Sequence, residues 1–304
     1  MTLADRIVAS AYTVGWAIVR FVPEKAAAFV FRQIADVMWR RQGRSVRRLE
    51  SNLAKVTGRE GESLRELSRA GLRSYMRYWM EIFRLPAMDP KKIHARTRAV
   101  GGDYLMETIA EGRGVVIALP HMGNWDAAGV WLVQCGHPFT TVMERLEPES
   151  LFERFVAFRT AIGMEVLPLT KQGGGSAQAF GTLAQRMRAG RVACLPADRD
   201  LTDSGIEVDF FGRRTRMAAG PALLALQTGA ALVPVTIWFD GDGWGLDVHP
   251  EVPVPAEGTR QEKVTELTQG MADAFEKGIA EHPDDWHMLQ RLWLEDLEPR
   301  EPRP

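Results

Sequence analysis

Cysteine is almost absent from this 304-residue chain, which has only Cys135 and Cys194. Both sit in apolar runs without metal-ligand or redox spacing, so a disulfide framework is excluded and they read as reduced core residues of a cytosolic protein. A phosphate loop of the form Gly-x4-Gly-Lys-Ser/Thr is missing, and so is a His-Glu-x-x-His zinc pair. The one serine in a glycine context, Ser176 in Gly174-Gly175-Ser176-Ala177-Gln178, lacks the Gly-x-Ser-x-Gly elbow that would expose a nucleophile. The amino terminus has no spanning segment: its apolar stretch, Ile7 to Val19, falls well short of the ~20 residues a bilayer requires. A secretory leader is not expected either, because Asp5 cancels Arg6 and no small-x-small cleavage site follows.

What is present is an ordinary globular composition, 45% hydrophobic and 25% charged, with a net charge of -1 that conceals a strong polarity along the chain. Residues 1–98 carry 20 Lys or Arg against 9 Asp or Glu, a net of +11, which leaves 18 against 30, a net of -12, for the remainder. The basic third reads either as a surface for an anionic partner, phosphate-bearing lipid or nucleic acid, or as a solvated helical face. Ile7 to Val19 suits a helix lying in a membrane interface, with Tyr12, Trp16 and Phe21 as anchors. A second helix follows from Ala26 to Trp39, with Pro23 ahead of it and Gly43 beyond its end, and then the cluster Arg40, Arg41, Arg44, Arg47 and Arg48. Ser63 to Phe83 predicts a third, with Arg73, Arg77 and Arg84 on or just beyond it.

From Ala99 the texture changes to short apolar runs separated by amphipathic helices. Strands are expected at 114–119, 139–143, 165–169, 192–196, 231–239 and 245–249, and helices at 104–110, 125–134, 148–161, 177–189, 221–228 and 259–281. This alternation predicts an α/β fold: a mostly parallel twisted sheet flanked by helices at 99–304, preceded by an N-terminal helical, membrane-associating region at 1–98. Ligands of such sheets gather at the carboxyl ends of strands. That edge receives His121, after Gly114 to Pro120, and Asp198, after Arg191 to Ala197.

His121 and Asp126 are five apart and cannot share a helical face. They can meet only across a turn, which Gly123 and Asn124 supply, Asn124 being a fitting N-cap for the helix that holds Asp126. On this reading Asp126 accepts a hydrogen bond from one imidazole nitrogen and leaves the other free to take a proton. With no protein nucleophile in view, direct attack by a substrate hydroxyl fits better than a covalent intermediate.

Leu119-Pro-His-Met-Gly-Asn-Trp-Asp-Ala-Ala-Gly129 resembles the signature of the lysophospholipid and glycerolipid acyltransferase superfamily. The branch it most resembles holds the lipid A late acyltransferases and, closer still, the actinobacterial phosphatidylinositol mannoside acyltransferases. Supporting stretches run from Pro138 to Arg145, Glu165 to Thr170, Arg199 to Gly205, Val208 to Gly212, Thr215 to Pro221, Thr228 to Val235 and Asp285 to Gln290, so the resemblance covers about Ser68 to Leu294.

The resemblance implies transfer of a long acyl chain, palmitoyl in the first instance, from acyl-CoA as co-substrate to a mannose hydroxyl of a phosphatidylinositol mannoside. The site would be peripheral on the cytoplasmic face of the plasma membrane, with no metal, no other cofactor and no nucleic acid. It implies catalytic roles for His121 as base, Asp126 as its partner and Asp198. Glu144 and Asp198 would line the sugar side, Arg159 and Ser204 would contact the donor, and Gln227 would sit beside it. The family usually has Glu where Asp198 stands and often Glu at Gln227. Arg213, Arg214 and Arg216 read either as holders of CoA phosphates or as a solvated loop. Two other readings remain open at this point: a lipid A-type enzyme fed by acyl carrier protein, and a non-catalytic peripheral lipid-binding protein.

Overall fold

The computed structural model describes residues 19–145, 149–169, 174–200 and 205–297, without the side chains of 150, 151 and 174–176. Tyr12, Trp16, Ser204 and the side chain of Ser176 therefore lie outside what is described. The described residues include the helices α1 (Glu24–Arg41), α2 (Arg44–Thr57) and α3 (Gly61–Arg84), followed by the short α4 (Pro90–Ala95). A seven-stranded sheet comes next, in the spatial order β1 (Thr97–Val100), β9 (Gly243–Val248), β8 (Ala231–Asp240), β2 (Val115–Leu119), β5 (Val192–Pro196), β3 (Phe139–Glu144) and β4 (Met164–Leu169). Within this sheet only β8 and β9 pair antiparallel. The expected mostly parallel sheet is present.

The strands read as apolar runs because both faces of the sheet are covered. Val115 to Leu119 is buried at every position. On one face lie α5 (Gly102–Ala110) and α6 (Trp125–Gln134), with Trp131 and Leu132 packed on Ile117, Cys194 and Val235. On the other lie α8 (Gly174–Arg188), α9 (Gly220–Thr228) and α10 (Arg260–Glu281), whose Leu183, Leu224 and Phe275 cover Val116, Ala193 and Leu232. α7 (Glu149–Ala161) caps the β4 end.

Five elements were not anticipated: α2, α4, β1, β6 (Ile206–Phe210) and β7 (Arg213–Met217). β1 is too short and too polar to stand out, and the hairpin of β6 and β7 is masked by its four charged outward residues. The arginine cluster is divided between two helices: Arg40 and Arg41 end α1, while Arg44, Arg47 and Arg48 start α2, which turns Val46, Leu49 and Leu53 inward.

The N-terminal helices are fastened to one another and to the sheet domain. Asp36 of α1, almost fully buried, takes bidentate hydrogen bonds from both Arg69 and Arg73 of α3, which hold its carboxyl well below the usual range. Asn52 of α2 donates to the carbonyls of Met288 and Gln290 and accepts from Trp293. α1 leaves Phe29, Val30, Ile34 and Val37 exposed. No helix among the described residues is long and apolar enough to cross a membrane.

Candidate active site

Strand register builds the centre. β2 and β5 are parallel neighbours with Val115 opposite Val192 and Leu119 opposite Pro196, an offset of 192 − 115 = 77. Continued past the strand ends, the same offset (198 − 121 = 77) sets His121 against Asp198. The Asp198 carboxylate grips His121 twice, Oδ2 accepting the backbone N–H at 3.0 Å and Oδ1 meeting ring Nδ1 at 2.5 Å. Trp286 Nε1 also donates to Oδ2 at 3.0 Å. Asp198 is fully buried, which by itself raises its pKa. The charge and hydrogen bond of His121, with help from Trp286 and Arg199, outweigh that and hold it below the ordinary carboxylate value. A carboxylate can only accept, so Nδ1 carries the proton, and in the neutral imidazole Nε2 is the nitrogen that presents a lone pair.

The expected bond between His121 and Asp126 is not the one that forms. The helix α6 starts at Trp125, capped by Asn124, whose Oδ1 accepts from the Ala127 N–H at 3.0 Å. Trp125, four residues on, is the side chain that returns beneath His121, their rings 5.7 Å apart and nearly perpendicular. Asp126 lies roughly 100° further round the helix. There it is buried against α7 and takes Arg159 Nε and Nη2 at 2.7 and 3.0 Å. Burial alone would lower the Arg159 pKa, but Asp126 more than reverses this and raises it.

The remaining expected residues divide. Glu144, the exposed end of β3, and Arg159 both line the cavity at His121, although Arg159 is committed to Asp126. Gln227 does not reach it. The first turn of α9, at Gly220 and Pro221, faces the cavity, whereas Gln227 sits exposed in the last turn, roughly 10 Å along the axis. Arg213, Arg214 and Arg216 are engaged by Glu295 and Glu207.

Several residues enter that the sequence reading gave no role. Asp285-Trp286-His287 runs back along the turn: Gly123 N–H donates to the Asp285 carbonyl at 2.9 Å and His287 N–H to the His121 carbonyl at 2.8 Å. Gly123 has φ +56°, and a Cβ there would stand 2.6 Å from the Ile237 carbonyl oxygen, so the turn needs glycine. Ser74 of α3 joins Asp285 Oδ1 at 2.5 Å and His287 Nε2 at 2.8 Å. Burial pushes Asp285 up to about 7 and, aided by His121, pushes His287 down to about 3. His287 Nδ1 is buried without a hydrogen-bond partner. Glu81, also on α3, accepts from Asn124 Nδ2 at 2.7 Å, Trp244 Nε1 at 2.8 Å and Arg77 Nε at 2.7 Å. One signal for it existed: a carboxylate seven residues from Ser74 falls on the stripe that α3 buries.

His121 lies at a cavity of about 670 Å³ that runs into the apolar interior past Ile117, Trp131, Leu132 and Leu246. No serine lines it among the described residues, and the thiol of Cys194 is pushed far up by burial. A base with a free lone pair, set at the mouth of an apolar cavity, can deprotonate a hydroxyl beside a bound aliphatic chain.

Residues 2–295 match the family model described as bacterial lipid A biosynthesis acyltransferase. The chain belongs to this family. It is 50% identical to a phosphatidylinositol mannoside acyltransferase of Mycolicibacterium smegmatis over 304 residues, 98% of this chain and 97% of that protein. It is 49% identical to a phosphatidylinositol mannoside acyltransferase of Mycobacterium tuberculosis strain CDC 1551 over 290 residues, 94% of this chain and 89% of the other. The resemblance read from the His121 segment and its companions thus extends over the whole fold. In this member of the family the aspartate at position 198 is long enough to reach the histidine.

Proposed function

We propose that this acyltransferase moves a long acyl chain, palmitoyl in the first instance, from acyl-CoA to a mannose hydroxyl of a phosphatidylinositol mannoside, with His121 as general base. The acceptor follows from the names of relatives about half identical over nearly the full chain. The observation that carries the chemistry is the Asp198 clamp, which leaves Nε2 of His121 as the free nitrogen at the cavity mouth. The acyl chain occupies the apolar interior and the thioester carbonyl stops at His121. The mannose hydroxyl gives its proton to Nε2 as its oxygen attacks the carbonyl carbon. The tetrahedral intermediate collapses, the C–S bond breaks, and the leaving thiolate recovers that proton from Nε2. No acyl-enzyme forms.

The exposed Phe29, Val30, Ile34 and Val37 of α1, beside the basic α1–α2 junction, support a peripheral position on the anionic cytoplasmic face of the membrane. No metal or other cofactor takes part in this scheme. Mass spectrometry of products from the purified full chain, palmitoyl-CoA and a total lipid extract tests donor and acceptor together. His121→Ala should lower product formation by at least ~10²-fold with vesicle binding intact. Near-normal turnover by that variant would remove the mechanism.

A further inference from the structure

Once the acyl chain and thioester are placed in the cavity at His121, the phosphate-bearing end of the donor has to lie outside the mouth. Among the described residues two basic surfaces offer themselves. Arg213, Arg214 and Arg216 on the β6–β7 hairpin are already paired with Glu295 and Glu207. The other surface is a hollow of about 640 Å³ lined by Arg44, Arg47, Arg48, Ser51, Asn52, Gln290, Arg291 and Asp296. Arg44, Arg47 and Arg48 share that lining with one carboxylate, Asp296, which is bound by Lys55. Among the described residues Arg44, Arg47 and Arg48 have no ion-pair partner.

The hollow adjoins the catalytic cavity, because Gln290 lines both. It is also fixed relative to it. Asn52, between the arginines and the core, bonds the carbonyls of Met288 and Gln290 at 2.8 Å each, and the N–H of His287, next to Met288, bonds the His121 carbonyl. Unpaired arginines beside a polar hollow match phosphate groups, which guanidinium recognises bidentately, and the excess positive charge draws a polyanion towards the mouth.

We infer that the Arg44–Arg47–Arg48 hollow on α2 is the site for the phosphates of a nucleotide-bearing acyl donor, an assignment that rests on the acyl-CoA reading above. It makes this chain prefer a donor with a bisphosphorylated nucleotide over one that carries only pantetheine.

The probe is adenosine 3′,5′-bisphosphate, titrated calorimetrically into the full chain and into Arg44→Gln/Arg47→Gln, both exposed positions. The wild type should bind it and the double variant at least ~10-fold more weakly. The ratio of kcat/KM for palmitoyl-CoA to that for palmitoyl-pantetheine should fall by a similar factor. Absence of binding to the wild type, or equal binding by both proteins, overturns the site. If the variant instead loses affinity for phosphatidylinositol-containing vesicles while nucleotide affinity and donor ratio hold, the arginines read a lipid headgroup and the donor assignment is overturned. If the wild type acylates no glycolipid from either donor, the proposed function falls, and a calorimetric loss in the variant still upholds the site.

Discussion

Replacing Asp198 by Asn changes one atom and should disable the base. Oδ2 accepts two donors, the His121 backbone N–H and Trp286 Nε1, both at 3.0 Å, while Oδ1 accepts only Nδ1 of His121. Asparagine has a single acceptor oxygen. Set in the Oδ2 position it keeps two bonds; in the Oδ1 position it keeps one and turns its amide hydrogens on two donors. The first orientation is favoured by ~1–3 kcal/mol, the cost of a buried unsatisfied donor. The amide nitrogen then faces Nδ1, which must present a lone pair, so the imidazole proton moves to Nε2 and the hydroxyl loses its acceptor. General-base catalysis supplies roughly 10²–10⁴-fold, so kcat should fall by about that factor, equivalent to ~3–5 kcal/mol in the barrier. Asp198 is fully buried and touches neither substrate in the proposed scheme, so KM for both should move only a few-fold. Steady-state release of CoA thiol measures both constants. A kcat within tenfold of wild type, or a loss confined to KM, would refute the tautomer argument.

Asn124→Asp preserves a good N-cap, yet it sets a carboxylate where Nδ2 now lies 2.7 Å from buried Glu81, and should cost ~3 kcal/mol at neutral pH. Adding Glu81→Gln should return at least ~1 kcal/mol, and urea unfolding that finds the two changes additive would sink the idea. For pH, Asp285 sits near 7 when folded against 3.8 as a model acid, so the native state holds a proton that the unfolded chain has released and stability declines as pH climbs between those values. His287, near 3 when folded against 6.5, has the opposite effect: its contribution is complete above 6.5 and is lost as pH falls towards 3. Asp285→Asn removes the first slope, so its stability should rise with pH between about 4 and 6.5 more steeply than that of wild type; superimposable urea profiles would contradict the assignment.

The sequence by itself determined the α/β class, the six longer sheet strands and the chemistry-bearing turn after β2. Continuous apolar runs and helix caps are local properties, written in residues a few positions apart, as Asn124 and Ala127 illustrate. It also determined that His121 and Asp198 stand on the same edge. Only the tertiary structure decided that they are partners. Which strands become neighbours is fixed by packing across the whole sheet, and the β2–β5 register, not the five-residue spacing to Asp126, chose the carboxylate that holds the histidine. Asp126 went to Arg159 because helix α6 begins one residue before it and turns it away from His121. The pairing of α3 with the 285–287 segment was not legible in the linear pattern either. Ser74 and Asp285 are 211 residues apart, and a hydrogen bond at that separation leaves no periodicity to read.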